Sequence, residues 1–279
     1  MKSEKFVYAF VLMFLVCASA NAMEVQTDVE YGNGGGEKLL LDVYKPSGEG
    51  TFPAIIIVHG GAWVGGDKQG SEKVFAKPLT DANYVCVSIN YRLAPKYKWP
   101  ACYDDAQTAV KWVKANAGSY KIDSKKIAVM GYSAGGQIAA LAAMTADNGM
   151  EVQGIVLVSS PTDLVYDGMR RGDITTYLAA VFGSKGLDAQ ALQQLWDASP
   201  INYIYPGLPP VLLIHGTADN IVPYQLSVNF KTRLNTLNVP CDIITIEGGT
   251  HNINSWEVRD KDYVKKTIEW FDNNLKISK

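Results

Sequence analysis

Cysteine is scarce in this chain, four in 279 residues, and histidine scarcer still at three. No C-x-x-C or H-E-x-x-H spacing occurs, so the sequence offers no standard zinc site, and it calls for no cofactor. An excess of one charge is missing too: 26 Lys and Arg stand against 28 Asp and Glu, scattered along the chain, for a formal net charge of -2. That balance excludes the electrostatic footprint of a nucleic-acid or anionic-membrane binder. Long apolar runs are absent but for residues 6–18, which follow Lys2 and Lys5 and precede Ala20-Asn21-Ala22. A charged start, a short apolar centre and an A-x-A ending describe a secretory signal, and the run is too short to favour a spanning helix. Cleavage is expected after Ala22, leaving residues 23–279 as one secreted or periplasmic domain. The alternatives are lipoprotein anchoring through Cys17, against which Val16 stands where such signals carry a small residue, and an uncleaved anchor. After cleavage Cys86, Cys102 and Cys241 remain, an odd number that reads as buried thiols and not as a disulfide framework.

What is present is ample apolar content, 47% of residues, enough for one large core. Residues 23–31 and 38–44 alternate apolar and polar around a glycine-rich turn, which predicts an antiparallel hairpin. The unbroken run 54–58 predicts a strand buried on both faces, ending at His59-Gly60-Gly61-Ala62-Trp63. A helix over 71–83, strand 84–90, helix 103–116, strand 127–131, a small-residue helix and strand 154–159 follow. Strand 210–215, helix 224–237, strand 242–247 and an amphipathic helix over 263–275 close the chain. This alternation predicts an α/β fold, a mostly parallel central sheet with helices on both faces. The rhythm breaks over about 161–200, where short helical patterns such as 189–196 occur without a strand. Such an insertion reads as a cap, lid or pocket wall, or as simple packing.

The chemistry centres on Gly131-Tyr132-Ser133-Ala134-Gly135-Gly136, a sharp turn between an apolar run and a helix. A serine at that apex is lifted clear of the backbone, the G-x-S-x-G nucleophile elbow. A serine hydroxyl needs a base, and the base needs an acid to hold its tautomer. His251, after the last predicted strand, is the candidate base; His59 and His215 each precede a glycine at a strand end and read as turn supports. Asp219 is the favoured acid, with Asp163 and Glu247 behind it. Backbone N–H groups of Gly60, Gly61, Ala62 and Ala134 are placed to receive the negative oxygen of a tetrahedral intermediate. Trp63, Trp99, Tyr132, Tyr166 and Tyr224 lie on or near loops at the same edge, where each ring suits either stacking on a sugar or an aromatic acyl group or ordinary wall packing.

Taken together, His-Gly-Gly-Ala-Trp, Tyr-Arg-Leu-Ala-Pro with the later Asp104-Asp105-Ala106, Gly-Tyr-Ser-Ala-Gly-Gly, His-Gly-Thr-Ala-Asp and Gly-Gly-Thr-His resemble the hormone-sensitive-lipase-like branch of the α/β-hydrolase superfamily. More narrowly, the chain is similar to exported bacterial carboxylesterases of the acetyl xylan and feruloyl esterase type. The resemblance implies an α/β-hydrolase fold, a Ser-His-Asp triad and a small ester or acylated oligosaccharide as substrate, acetyl before feruloyl. It departs from the HGGG loop at Ala62, which keeps the N–H but narrows the acyl pocket beside it. Rival readings are an aryl formamidase or general short-chain esterase, a metalloenzyme gathering the three histidines, and a carbohydrate-binding protein with a relic site.

Overall fold

The computed structural model describes residues 23–276, so the expected signal segment lies outside the described residues. Strands β1 (Glu24–Gly34) and β2 (Glu37–Lys45) form the expected antiparallel hairpin. The chain then runs through β3 (Phe52–Val58), α1 (Lys77–Asp81), β4 (Val85–Ile89), α2 (Ala101–Ala115), β5 (Ile122–Tyr132), α3 (Ala134–Met144) and β6 (Gly154–Val158). Next come α4 (Leu164–Arg171), α5 (Thr176–Phe182), α6 (Ala189–Asp197), β7 (Val211–Gly216), α7 (Tyr224–Thr236), β8 (Cys241–Ile246) and α8 (Tyr263–Phe271).

The eight strands make one sheet in the order β1-β2-β4-β3-β5-β6-β7-β8. Strands β4 to β8 are parallel, and β2 meets β4 antiparallel. From β3 the chain moves first to β4 on one side and then to β5 on the other. Such a switch leaves a crevice beyond the carboxyl ends of the two strands. The register pairs Val58 with Gly131, so the loop after β3 and the turn after β5 emerge side by side.

Both faces of the sheet are covered, as the unbroken apolar runs predicted. Along β3, Ala54, Ile56 and Val58 pack into the layer that holds α2 and α3, while Ile55 and Ile57 face the layer of α1 and α8. Strand β3 is therefore buried on both faces, and this double burial is why alternation is absent from its sequence.

Two expectations are corrected. Residues 71–83 are not one helix: a 3-10 turn (Lys68–Ser71) and a π turn (Glu72–Ala76) precede the short α1. Pro78 has no N–H to give the turn before it, which breaks the α-helical ladder there. The last helix ends at Phe271 and continues as a π turn, Asp272–Lys276. Between β6 and β7, the helices α4, α5 and α6 begin at the side chains of Asp163, Thr175 and Asp188, which accept the N–H groups of Tyr166, Leu178 and Ala191. Cys86 and Cys102 are buried free thiols and Cys241 is a half-buried one, and burial pushes all three up to about 12. Among the described residues no helix is long and apolar enough to cross a membrane.

Candidate active site

Strand β5 feeds α3 through Ser133, whose φ of 53° and ψ of -125° are costly for a residue with a Cβ. Strain of this kind amounts to about 1–3 kcal/mol and persists only where the surroundings dictate it. Here they do. A Cβ on Gly131 would lie 2.3 Å from the Gly135 carbonyl oxygen, and one on Gly135 would lie 2.2 Å from that of His59. The two motif glycines thus let β3, β5 and α3 meet backbone to backbone. The Ser133 N–H donates to the Val158 carbonyl at 2.8 Å, which locks the turn onto β6.

The structure brings Ser133, His251 and Asp219 into one hydrogen-bonded line. His251 Nε2 is 3.0 Å from Ser133 Oγ, and His251 Nδ1 is 2.7 Å from Asp219 Oδ2. An ionised carboxylate can only accept, so Nδ1 carries the proton and Nε2 is left free to accept the serine hydroxyl's. Asp219 Oδ1 accepts the N–H groups of Ile221 and Val222, each at 2.9 Å. Burial alone would raise this carboxyl. The hydrogen bonds from His215 and His251, with the Val222 amide, overcome that penalty and hold it well below the usual carboxylate range. Asp163 is occupied as the N-cap of α4, and Glu247 accepts from Thr217 on the surface, so neither alternative acid faces His251.

Tyr132, expected to touch substrate, instead supports the base. Its hydroxyl donates to the His251 carbonyl at 2.6 Å and its ring stacks on the imidazole at 5.3 Å. Burial pushes the phenol up to about 12, with the Asp219 charge adding to the shift, so it remains a donor at neutral pH.

The loop after β3 bends back on itself, with Val64 and Gly65 donating to the Gly61 carbonyl. Gly61, Ala62 and Trp63 all have positive φ, of 127°, 53° and 63°. Among the described residues the amides of Gly61 and Ala62 have no backbone acceptor. Ala134 opens α3, and the first N–H groups of a helix have no intrahelical partner and favour an anion. Gly60 contributes its carbonyl, which accepts from His59 Nδ1 at 2.6 Å. His59 is buried, which lowers its proton affinity, and it stacks on Tyr91 at 4.2 Å. Tyr91 in turn donates to the His59 carbonyl, and the next residue, Arg92, forks onto Asp105 of α2. The Tyr-Arg-Leu-Ala-Pro segment therefore braces this loop from behind.

Trp63 is 7% exposed, and its ring N–H donates to Gln137 of α3 at 2.8 Å. Gln137 donates onward to the Ala198 carbonyl at 2.7 Å, just past α6. Trp63 therefore ties loop, elbow helix and insertion together. Tyr224 is engaged as well, through a 2.8 Å hydrogen bond with Thr245 and an edge contact with His215. Trp99 packs on Tyr103 and Phe182. Tyr166, at the start of α4, keeps 37% of its surface exposed. Sequence reasoning gave Gln137 no role; it joins Trp63, 74 residues away, to Ala198, 61 residues away, and no local motif marks such a pairing. Among the described residues no three His, Cys, Asp or Glu side chains gather as a metal site.

A mostly parallel sheet with a switch point at β3 and a serine elbow after the central strand define an α/β hydrolase. Comparison with known proteins narrows this. The BD-FAE family model matches residues 41–234, and the chain belongs to that family, within the hormone-sensitive-lipase-like branch. It is 32% identical over 219 residues to the probable carboxylic ester hydrolase LipM of Mycobacterium tuberculosis, covering 74% of this chain and 51% of that one. With esterase LipC of the same organism it shares 34% identity over 214 residues, 71% of this chain and 53% of that one. The chain thus spans about half the length of the curated relatives it matches. Among solved structures, a truncated carbohydrate esterase from gut microbiota superposes with a TM-score of 0.81 at 27% identity, covering 93% of this chain and 99% of that one.

Proposed function

We propose that the protein is a serine carboxylesterase that removes small acyl groups, acetyl first and feruloyl second, from plant hemicellulose such as xylan. The observation that carries this reading is the line from Ser133 through His251 to Asp219, at 3.0 and 2.7 Å, set on a strained elbow. In it, Ser133 attacks the ester carbonyl as His251 Nε2 takes its proton, and ionised Asp219 stabilises the imidazolium. The amides of Ala134 and of the Gly61-Ala62 loop receive the oxyanion, each such donor contributing roughly 10²- to 10³-fold in rate. His251 returns the proton to the departing alcohol, and water repeats the sequence to free the acid.

The carbohydrate side of the proposal draws on the gut carbohydrate esterase, whose fold this chain shares at 27% identity. The esterase names of LipM and LipC support the reaction class. Export through residues 1–22, and a substrate-facing role for the 161–200 insertion with Tyr166 at its open side, belong to the same reading. Its test is hydrolysis of p-nitrophenyl acetate, methyl ferulate and acetylated xylo-oligosaccharides by the parent and by Ser133→Ala. The parent turns over the acetyl esters and is labelled by a fluorophosphonate, while Ser133→Ala does neither. Turnover by Ser133→Ala near the parental rate would remove Ser133 from the chemistry.

A further inference from the structure

Asp219 is approached by two imidazoles, and the reaction outlined above uses one of them. His215, the penultimate residue of β7, is fully buried, and its Nε2 sits 2.9 Å from the Val222 carbonyl and 3.4 Å from Asp219 Oδ2. That is the same carboxylate oxygen that accepts from His251 at 2.7 Å. A carbonyl oxygen can only accept, so His215 Nε2 must carry a proton, which it gives to Val222 with Asp219 Oδ2 close beside it. On the far side of the ring, Nδ1 lies 2.7 Å from the hydroxyl of Ser227 on α7, a group able to donate to it. Ser227 and Val222 thus specify the ring's tautomer from opposite ends.

We infer that His215 is a positioning residue for the proposed esterase reaction, acting through Asp219 on His251. With it in place, the carboxylate has four N–H groups around it: the amides of Ile221 and Val222 at 2.9 Å from Oδ1, and His251 at 2.7 Å and His215 at the longer 3.4 Å from Oδ2. Four contacts in two directions fix the rotation of the carboxylate plane, which aims Oδ2 at His251. They also divide its negative charge, so that less of it bears on the imidazolium formed during turnover. The other groups facing His251 are Ser133 and Tyr132, and Tyr132 stays neutral, so the carboxylate is the charge in contact with the base.

This inference rests on the esterase reading, and its test separates the two. The purified parent, His215→Leu and His215→Gln are assayed on p-nitrophenyl acetate across pH, with rates divided by sites titrated with a fluorophosphonate. In His215→Leu, kcat per titrated site falls about 10-fold or more with KM little changed, as when an interaction serves the transition state. The acid limb of kcat/KM moves to higher pH, because Asp219 then bears more strongly on His251. His215→Gln, whose amide still donates, recovers part of both. An unchanged limb, or a loss that vanishes when rates are divided by titrated sites, makes His215 a packing residue and overturns the inference alone. A parent that hydrolyses no ester overturns both proposals. Should His215→Leu fail to fold, nitrogen NMR of the parent decides, since three histidines give few signals. His215 protonated at Nε2 near neutral pH upholds the inference, and the Nδ1–H tautomer refutes it.

Discussion

The sheet edge that carries Ser133 and the insertion between β6 and β7 are built on opposite logics. At the edge, backbone meets backbone: every residue of α3 is buried, and Gly131 and Gly135 are dictated by carbonyls that leave no room for a Cβ. In the insertion, three helices of eight, seven and nine residues are each started by a side-chain cap. Two of them stop at a left-handed glycine, Gly172 or Gly183, and their outer faces expose Tyr166, Met169, Tyr177 and Trp196. One region is specified by steric exclusion across the fold, the other by short-range hydrogen bonds. Substitutions at the edge are therefore expected to be severe and shared between stability and activity, while those in the insertion are local.

The largest effect expected is on rate. Asp219→Asn presents the wrong hydrogen-bonding partner to His251 and lowers kcat by roughly 10⁴-fold, read as steady-state ester hydrolysis. Asp219 also carries a pH signature in stability. Its carboxyl is depressed in the folded chain, so its stabilisation is complete above the unfolded value of roughly 3.9 and fades as pH falls through the lower folded value. The stability gap between the parent and Asp219→Asn, measured by urea unfolding, accordingly stays constant above about pH 5 and narrows as pH falls below about 4.

Next in size is Gly135→Ala. The added methyl meets two backbone carbonyls within 2.3 Å, those of His59 and Val58, and neither can turn aside as a side chain would. A loss of about 3 kcal/mol is expected, with activity falling as β3 and α3 are forced apart. A urea midpoint equal to the parent's would show that the edge yields more easily than its packing implies.

Trp63→Phe joins the two regions. It removes the N–H that Gln137 accepts and leaves a buried amide oxygen short of a donor, costing about 1–3 kcal/mol. Because Gln137 also holds the Ala198 carbonyl, kcat on acetyl esters falls in the same variant. The smallest effect belongs to the insertion. Asp188→Ala removes one cap, costs about 1 kcal/mol and leaves kcat on p-nitrophenyl acetate at the parental value. A drop in kcat there would show that the insertion's helices are coupled to the chemistry and would erase the contrast.

The same contrast governs how much the amino-acid sequence reveals. Strands β3, β4, β6 and β7 and the second half of β5 stand out as mostly apolar runs because both of their faces are buried. The elbow is legible because its steric demands leave glycine as the one residue that fits. Ser133, Asp219 and His251 could be nominated from their places after successive strands, and the coordinates put them within hydrogen-bonding distance. What escaped notice depends on partners far away in sequence. Trp63 reads as a pocket wall because it follows a glycine loop, yet its indole N–H finds Gln137, 74 residues later. Tyr132 has the look of a ligand contact, and its hydroxyl instead meets a carbonyl 119 residues further on. Residues 71–83 read as one helix, since periodicity alone does not register where Pro78 withholds a donor.

The hydroxyl of Tyr132 has a mechanical consequence. The residue immediately before the nucleophile grips the main chain of the base, so the loop that bears His251 is moored to the very turn it must serve. If the last strand shifts against the centre of the sheet, serine and imidazole travel together, and their separation is insulated from the breathing of the domain around them.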